Sequence, residues 1–187
     1  MTTAQRVQRK QLIREAEGYL ELMTLFDGSW PLDIATKQTF AKRALQALEQ
    51  VKRPLGHKPH LLFLKGQICR VVEEYARAVN YLQQSAQFDP DNIHTYLAIG
   101  WCQKRLNRID LAIEAMETAV QVQNNSGLAH YNLACYCALA GQIKQAVLHL
   151  SNAFDLEPDY RNHVGSESDF DAIREDPEFV ASLEIIV

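Results

Sequence analysis

The sequence predicts an all-α protein built from repeated pairs of antiparallel helices. Its 187 residues include only 8 glycines and 6 prolines, so long stretches run without a helix breaker. In addition, three consecutive windows of 34 residues, starting at Pro59, Ile93 and Gly127, align with one another without gaps. A period of this length is typical of helical repeat arrays.

Small residues recur at fixed places in the three windows. The eighth place holds Gly66, Gly100 and Ala134, and the twentieth holds Ala78, Ala112 and Ala146. A small side chain at these two places lets two helix backbones approach closely, and a larger one would overpack the contact. The twenty-fourth place holds Leu82, Met116 and Leu150, which are apolar residues of similar size. The pattern therefore predicts one packing arrangement that is used three times.

Each window predicts two helices, over roughly places 2 to 14 and 18 to 30, joined by a short polar turn. In the second helix of the middle window, Ala112, Met116 and Ala119 are spaced by three and four residues, which gives one apolar stripe. Pro90 and Pro158 close the first and third windows, and proline cannot continue a helix.

The three windows resemble tetratricopeptide (TPR) repeats in their length and in their small, apolar and proline places. The resemblance extends over residues 59–160, as repeats 59–92, 93–126 and 127–160. It implies a TPR solenoid, a right-handed superhelix of antiparallel helix pairs whose first helices line a concave groove that binds peptides. Four residues depart from the family pattern and weaken individual contacts: Lys65, Gln103, Asn124 and His130.

Extra helices are expected at both ends of the array. In residues 1–58, apolar residues recur at helical spacing from about residue 4 to 26 and from 34 to 52. Between the two helices, Ser29 or Asp33 can cap the second one, with Pro31 at an early helical place. This pair is either a degenerate repeat, with Gly18 in the small place, or an unrelated helical hairpin. We favour the degenerate repeat.

Residues 161–187 are expected to close the array, because the last helix of a repeat protein has no successor to cover it. Ser168 and Asp176 can cap two short helices. The second helix would begin at Pro177 and turn Phe179 and Leu183 inward. The stretch SDFDAIREDPEF also resembles segments that close other TPR arrays.

His130, Cys135 and Cys137 lie close together in sequence and could suggest a metal or redox site. However, the two cysteines point roughly 200° apart on a helix, so they cannot converge on one ion or form a disulfide. By its place in the repeat, Cys137 packs within the helix pair and Cys135 belongs to the groove face. We therefore expect packing thiols, no metal and no cofactor.

Composition and charge exclude several functional classes. The first 58 residues hold 10 Lys/Arg and 6 Asp/Glu, whereas the rest hold 9 and 17, and this acidic bulk argues against nucleic-acid binding. Neither a secretory signal nor a membrane-inserting apolar run is present, so a cytoplasmic location with reduced cysteines is expected. We find no catalytic or phosphate-binding motif and predict that the protein is not an enzyme. An enzyme with an unrecognised site remains the alternative.

The resemblance assigns the groove to places 2, 5, 9 and 12 of the first helices, with neighbouring residues added. The predicted partner-binding residues are His60, Phe63, Gln67, Arg70, His94, Leu97, Trp101, Lys104, Arg105, Leu128, Tyr131, Asn132 and Cys135. The aromatic members are not needed to hold each helix pair together, because the opposite face supplies its own packing residues. They either bind a partner or pack against adjacent repeats or a terminal helix.

The predicted function is a protein-interaction scaffold or adaptor that binds a partner segment carrying apolar and acidic residues. In TPR proteins that clamp the acidic tails of heat-shock proteins, Lys and Asn residues hold a terminal carboxylate. At the corresponding places here only Asn132 fits, which disfavours a co-chaperone of that kind. An export or secretion chaperone with a TPR groove remains the alternative among binding functions.

Overall fold

A computed structural model describes residues 3–25, 32–52 and 57–185, with backbone only for residues 182–185. The described residues form α-helices and short 3₁₀ helices and contain no strand, which confirms the all-α prediction. The α-helices are α1 (Thr3–Leu25), α2 (Ile34–Glu49), α3 (Lys58–Val71), α4 (Tyr75–Phe88), α5 (Ile93–Arg105), α6 (Ile109–Val122), α7 (Gly127–Leu139), α8 (Ile143–Leu156), α9 (Arg161–Val164) and α10 (Pro177–Ile185). The 3₁₀ helices are Pro158–Tyr160 and Ser168–Ile173.

The chain divides into two compact units, Met1–Asp91 and Asn92–Val187. We call them the N-terminal unit and the C-terminal unit. The N-terminal unit contains the predicted N-terminal hairpin and the first repeat, and the C-terminal unit contains the other two repeats and the closing segment. The finer division into residues 1–58, 59–160 and 161–187 stays a prediction.

In the N-terminal unit, α1 packs against α2 and α3 against α4. Their apolar faces share one core, which includes Ile13, Met23, Leu48 and Ile68. A Cβ added to Gly66 would lie 2.6 Å from Cγ of Leu82, so the predicted small place is a true close contact. Gly18 differs, because an added Cβ would meet no atom of the described residues within 4 Å. The described residues therefore show no close helix contact at Gly18, and the degenerate repeat stays a prediction.

Asp33 is the N-cap of α2, as predicted. Its carboxylate accepts hydrogen bonds from the backbone N–H of Thr36 at 2.9 Å and from the Thr36 hydroxyl at 2.6 Å. These bonds satisfy a backbone donor that the first turn of a helix leaves without a partner. Ser29 and Pro31 lie outside the described residues.

In the C-terminal unit, α5 packs against α6 and α7 against α8. A Cβ on Gly100 would lie 2.5 Å from Cε of Met116 and 3.2 Å from the backbone oxygen of Ala112. The eighth and twentieth places therefore bring two helices together in this unit as well. The second helices α4, α6 and α8 begin at Tyr75, Ile109 and Ile143, one place earlier than predicted.

The turns between the two helices of each repeat share one conformation. Glu73, Asn107 and Gly141 occupy the fifteenth place of their windows and adopt positive φ angles of 63°, 57° and 71°. In each turn the backbone N–H at place 16 donates to the carbonyl at place 11 at 2.9 Å, from residues 74, 108 and 142. This is a Schellman ending, which satisfies carbonyls that the end of a helix leaves without partners.

The closing segment agrees only in part with the predictions. Asp176 caps α10 by accepting from the backbone N–H of Glu178 at 2.8 Å, α10 begins at Pro177, and Phe179 is fully buried. The prediction for Ser168 is wrong, because the carboxylate of Glu167 accepts the N–H of Asp169 and caps a 3₁₀ helix that already includes Ser168. The side chain of Leu183 lies outside the described residues.

Candidate functional site

In the N-terminal unit, the four predicted groove residues lie on one side of α3. His60 is exposed, and Phe63, Gln67 and Arg70 are half-buried. The His60 ring contacts the Glu17 carboxylate on α1, with 3.0 Å between Nε2 and Oε1. Nε of Arg70 donates to Oε1 of Gln67 at 2.7 Å. This face is polar at both ends and aromatic in the middle.

In the C-terminal unit, α5 presents a second exposed face. Trp101 retains 36% of its accessible surface, and the Arg105 guanidinium lies 5.7 Å from the centre of its ring. Leu97 is half-buried and His94 is exposed. A guanidinium placed over an indole is attracted by the electrons of the ring, so the two side chains form one combined apolar and cationic feature.

On α7 the predicted groove residues do not behave alike. Leu128 is 43% exposed and Asn132 is half-buried, as a binding surface requires. Tyr131 and Cys135 are only 7% and 2% exposed, so their assignment to an open groove is wrong. The Tyr131 ring stacks on Tyr160, with 4.6 Å between ring centres, and meets the edge of Phe170 at 6.1 Å. For Tyr131 the alternative, packing against a terminal segment, is the correct one.

The element that covers α7 is the 3₁₀ helix Ser168–Ile173, which we call the covering segment. Phe170 is fully buried within it and stacks on Phe179 of α10, with 5.5 Å between ring centres. Sequence reasoning identified this stretch as a closing segment but missed that it lies on the first-helix face of the last repeat. The alternation of acidic and apolar residues in this stretch was the sequence feature that could have indicated such packing.

Lys104 is also engaged by the covering segment. Its Nζ donates to Oδ2 of Asp169, and the Asp169 side chain is almost fully buried. Burial raises the pKa of Asp169 above its ordinary value, although the ion pair with Lys104 acts in the opposite direction. Lys104 was predicted to bind a partner segment that carries acidic residues. In the structure it pairs instead with Asp169, an acidic residue of the same chain.

The cysteines are buried thiols. Burial raises the pKa of Cys69 and of Cys137 to about 11, and it raises the pKa of Cys135 as well. All four cysteines of the sequence are free and buried. Across the described parts of the chain, no three His, Cys, Asp or Glu side chains come together in a way that could hold a metal ion.

His130 has a partner that sequence reasoning missed. Its Nε2 lies 3.1 Å from the backbone oxygen of Asn124, and its Nδ1 lies 3.0 Å from Nδ1 of His149. A carbonyl can only accept, so Nε2 of His130 donates its proton. In the neutral pair, Nδ1 of His130 then accepts the N–H of His149. Burial, and next the neighbouring His130, lower the pKa of His149.

Comparison with known proteins identifies the repeats. The sequence model of the family described as "Tetratricopeptide repeat" matches residues 73–134. The chain therefore contains TPR repeats. Cell division cycle protein 16 homologues of Homo sapiens and Mus musculus are 30% identical to it over 94 residues. That match includes 47% of this chain and only 15% of each relative, so the chain spans a small part of the length of those proteins.

Solved TPR structures share the fold. MamA from Desulfovibrio magneticus RS-1 superimposes with a TM-score of 0.64 at 20% identity, over 91% of this chain and 90% of that one. The first TPR domain of Spaghetti (RPAP3), bound to an HSP90 peptide, gives a TM-score of 0.53 at 17% identity, over 69% and 90% of the two chains. At these identities the likeness concerns the helical-repeat fold.

Within the parts of the chain that the structure describes, no helix combines the length and apolar character needed to cross a membrane.

Proposed function

We propose that this protein is an interaction scaffold that binds a segment of a partner protein on the exposed first-helix faces of its repeats. The observation that carries the proposal is Trp101, a large aromatic side chain that remains 36% exposed and has Arg105 over its ring. A partly exposed tryptophan is among the residue types that most often dominate binding energy at protein interfaces. The peptide bound by the RPAP3 TPR domain supports such a role for this fold.

The chemistry of this face indicates the chemistry of the partner. Trp101 and Leu97 offer apolar surface, and Arg105 adds a positive charge at the C-terminal end of α5. Leu128, at the second place of the next repeat, adds an exposed apolar side chain. A segment that carries an apolar anchor and a nearby carboxylate would match both features. In our proposal the exposed face of α3 in the N-terminal unit is a second contact region, with Phe63 as its aromatic member.

We also propose that the protein is not an enzyme and acts in the cytoplasm. The raised pKa values of the buried cysteines argue against a catalytic thiol, because a thiol that stays protonated is a weak nucleophile. Buried free thiols also suit the reducing cytoplasm.

The proposal is tested with Trp101→Ala. The protein is immobilised, its partner is captured from a lysate and identified, and the affinity of that partner is measured by titration. Loss of the aromatic anchor should weaken binding by about 10-fold or more, which corresponds to at least about 1.4 kcal/mol. Helical content and the unfolding midpoint should stay close to those of the unaltered protein, because Trp101 is partly exposed.

Leu148→Ala is the matched control. Leu148 is 52% exposed on α8, the second helix of its repeat, and lies outside the proposed face. It should leave the affinity unchanged. Equal affinities of the Trp101→Ala and Leu148→Ala variants would refute the proposal, and so would unfolding of the Trp101→Ala variant.

A further inference from the structure

We infer that the covering segment is an intramolecular substitute for a partner, and that a partner segment with an adjacent carboxylate and aromatic ring displaces it from α7. This inference rests on the proposed function and specifies the regulation and the partner class of the same first-helix surface. It makes the third repeat a binding region that is closed in the isolated protein.

The contacts of the covering segment are those expected of a bound partner. Two consecutive residues of the segment, Asp169 and Phe170, reach two groove places of different repeats. Asp169 pairs with Lys104 at place 12 of the second repeat, and Phe170 meets the Tyr131 ring at place 5 of the third. An acidic residue directly before an aromatic one is therefore the chemistry that this surface accepts.

The closed arrangement leaves one polar group without a hydrogen bond and removes a carboxylate from water. The Tyr131 hydroxyl is buried and makes no hydrogen bond to any residue that the structure describes. The Asp169 carboxylate is withdrawn from water with Lys104 as its ion-pair partner. Burying a hydroxyl without a partner and desolvating a carboxylate both disfavour the closed state. A partner that offers the Tyr131 hydroxyl a hydrogen-bond acceptor would remove the first of these two costs.

The covering segment is held together by bonds that do not involve α7. Nη1 of Arg174 donates to the Val164 carbonyl at 3.2 Å, and Nη2 donates to the Glu167 carbonyl at 2.9 Å and to Asp171 at 2.8 Å. These bonds join Arg174, directly after the segment, to residues before it and to Asp171 within it, so they do not depend on the contact with α7. Release would expose Phe170, and the aromatic ring of the partner would replace that apolar contact.

The experiment uses a fluorescein-labelled synthetic peptide that copies residues 166–174 (SESDFDAIR) and the full-length protein. Asp169→Asn removes the ion pair of the internal segment and leaves Lys104 available to the peptide. Because a weaker internal competitor raises the fraction of open protein, we expect this variant to bind the peptide about 10-fold more tightly than the unaltered protein. Glu175→Gln, a change at an exposed acidic residue outside the covering segment, should leave peptide affinity unchanged.

A peptide with Asp and Phe of the DF pair replaced by Asn and Ala should bind neither protein. Equal binding of the original peptide by the unaltered and Asp169→Asn proteins would overturn the inference. That result is distinct from failure of the proposed function, in which the affinity for the captured partner would be insensitive to Trp101→Ala.

Hydrogen exchange on the unaltered protein provides a test that needs no variant. The backbone N–H groups of Phe170, Arg174 and Asp176 are hydrogen-bonded within the closing region. If the covering segment opens locally, they exchange faster than the amides in the middle of α7, and excess unlabelled peptide speeds their exchange further. Exchange of these three amides only at the rate of global unfolding would refute the inference.

Discussion

The first and third repeats share one 34-residue pattern, yet their first helices have different surroundings. In α3, five of fourteen residues are buried, whereas in α7 ten of thirteen are buried. Phe63 and Tyr131 both stand at the fifth place, and only Tyr131 is enclosed, by Tyr160 and Phe170. A shared place in a repeat therefore predicts a shared orientation on the helix, but not a shared exposure. The chain that continues beyond the last repeat decides how much of that repeat stays exposed.

We expect the strongest effect from truncating the aromatic residue at the fifth place of each repeat. Tyr131→Ala should lower the free energy of unfolding by about 3 kcal/mol, because it leaves a cavity between α7, Tyr160 and Phe170. Phe63→Ala should cost less than half as much, because Phe63 is only partly buried. Chemical denaturation of the two variants measures the difference, and equal losses would show that the two repeats bury this place alike.

A smaller effect distinguishes the inter-helix turns. Gly141→Ala should cost about 1 kcal/mol, because the left-handed conformation at φ 71° disfavours a Cβ even though space is open around it. At the same place of the first repeat, Glu73 already adopts φ 63°, so Glu73→Gly should gain up to about 1 kcal/mol. Unfolding midpoints check both changes. Destabilisation by Glu73→Gly would mean that the glutamate side chain contributes more than its backbone strain costs.

The weakest of these effects concerns pH. The twenty-third place holds Tyr81 in the first repeat and His149 in the third, and burial lowers the pKa of His149 in the folded protein. A histidine that is harder to protonate when folded contributes stability above its unfolded pKa of about 6.5, and this contribution is lost as the pH falls through that value towards the folded pKa. The effect should be modest because His149 is only half-buried.

His149→Phe should therefore flatten the dependence of stability on pH between about pH 7 and pH 5. Tyr81→Phe in the first repeat is the matched control and should leave that dependence unchanged, because it removes no imidazole. The measurement is the denaturant midpoint at several pH values. An identical pH profile for the unaltered protein and the His149→Phe variant would show that His149 does not contribute to the pH dependence of stability.

Part of the candidate site could be predicted from the sequence. The spacing of residues placed Trp101 and Arg105 on an exposed side of α5, and the structure leaves both exposed. The same spacing placed Tyr131, Cys135 and Lys104 on an equivalent face, but the first two are buried and the third forms an ion pair within the chain. Helical periodicity determines which residues share a face, but it carries no information about the element that packs on that face.

Sequence patterns alone were enough to define the helix pairs, their register and the close contacts at Gly66 and Gly100. These features arise from local periodicity and from steric limits that act between neighbouring helices. The exposure of each groove residue required the folded chain, because it depends on contacts between distant parts of the sequence. Lys104 and Asp169 are 65 residues apart, and the 34-residue pattern contains nothing that specifies their pairing. The covering segment lies where it does because Phe170 and Phe179 bury their rings against the end of the array, where the last repeat has no successor.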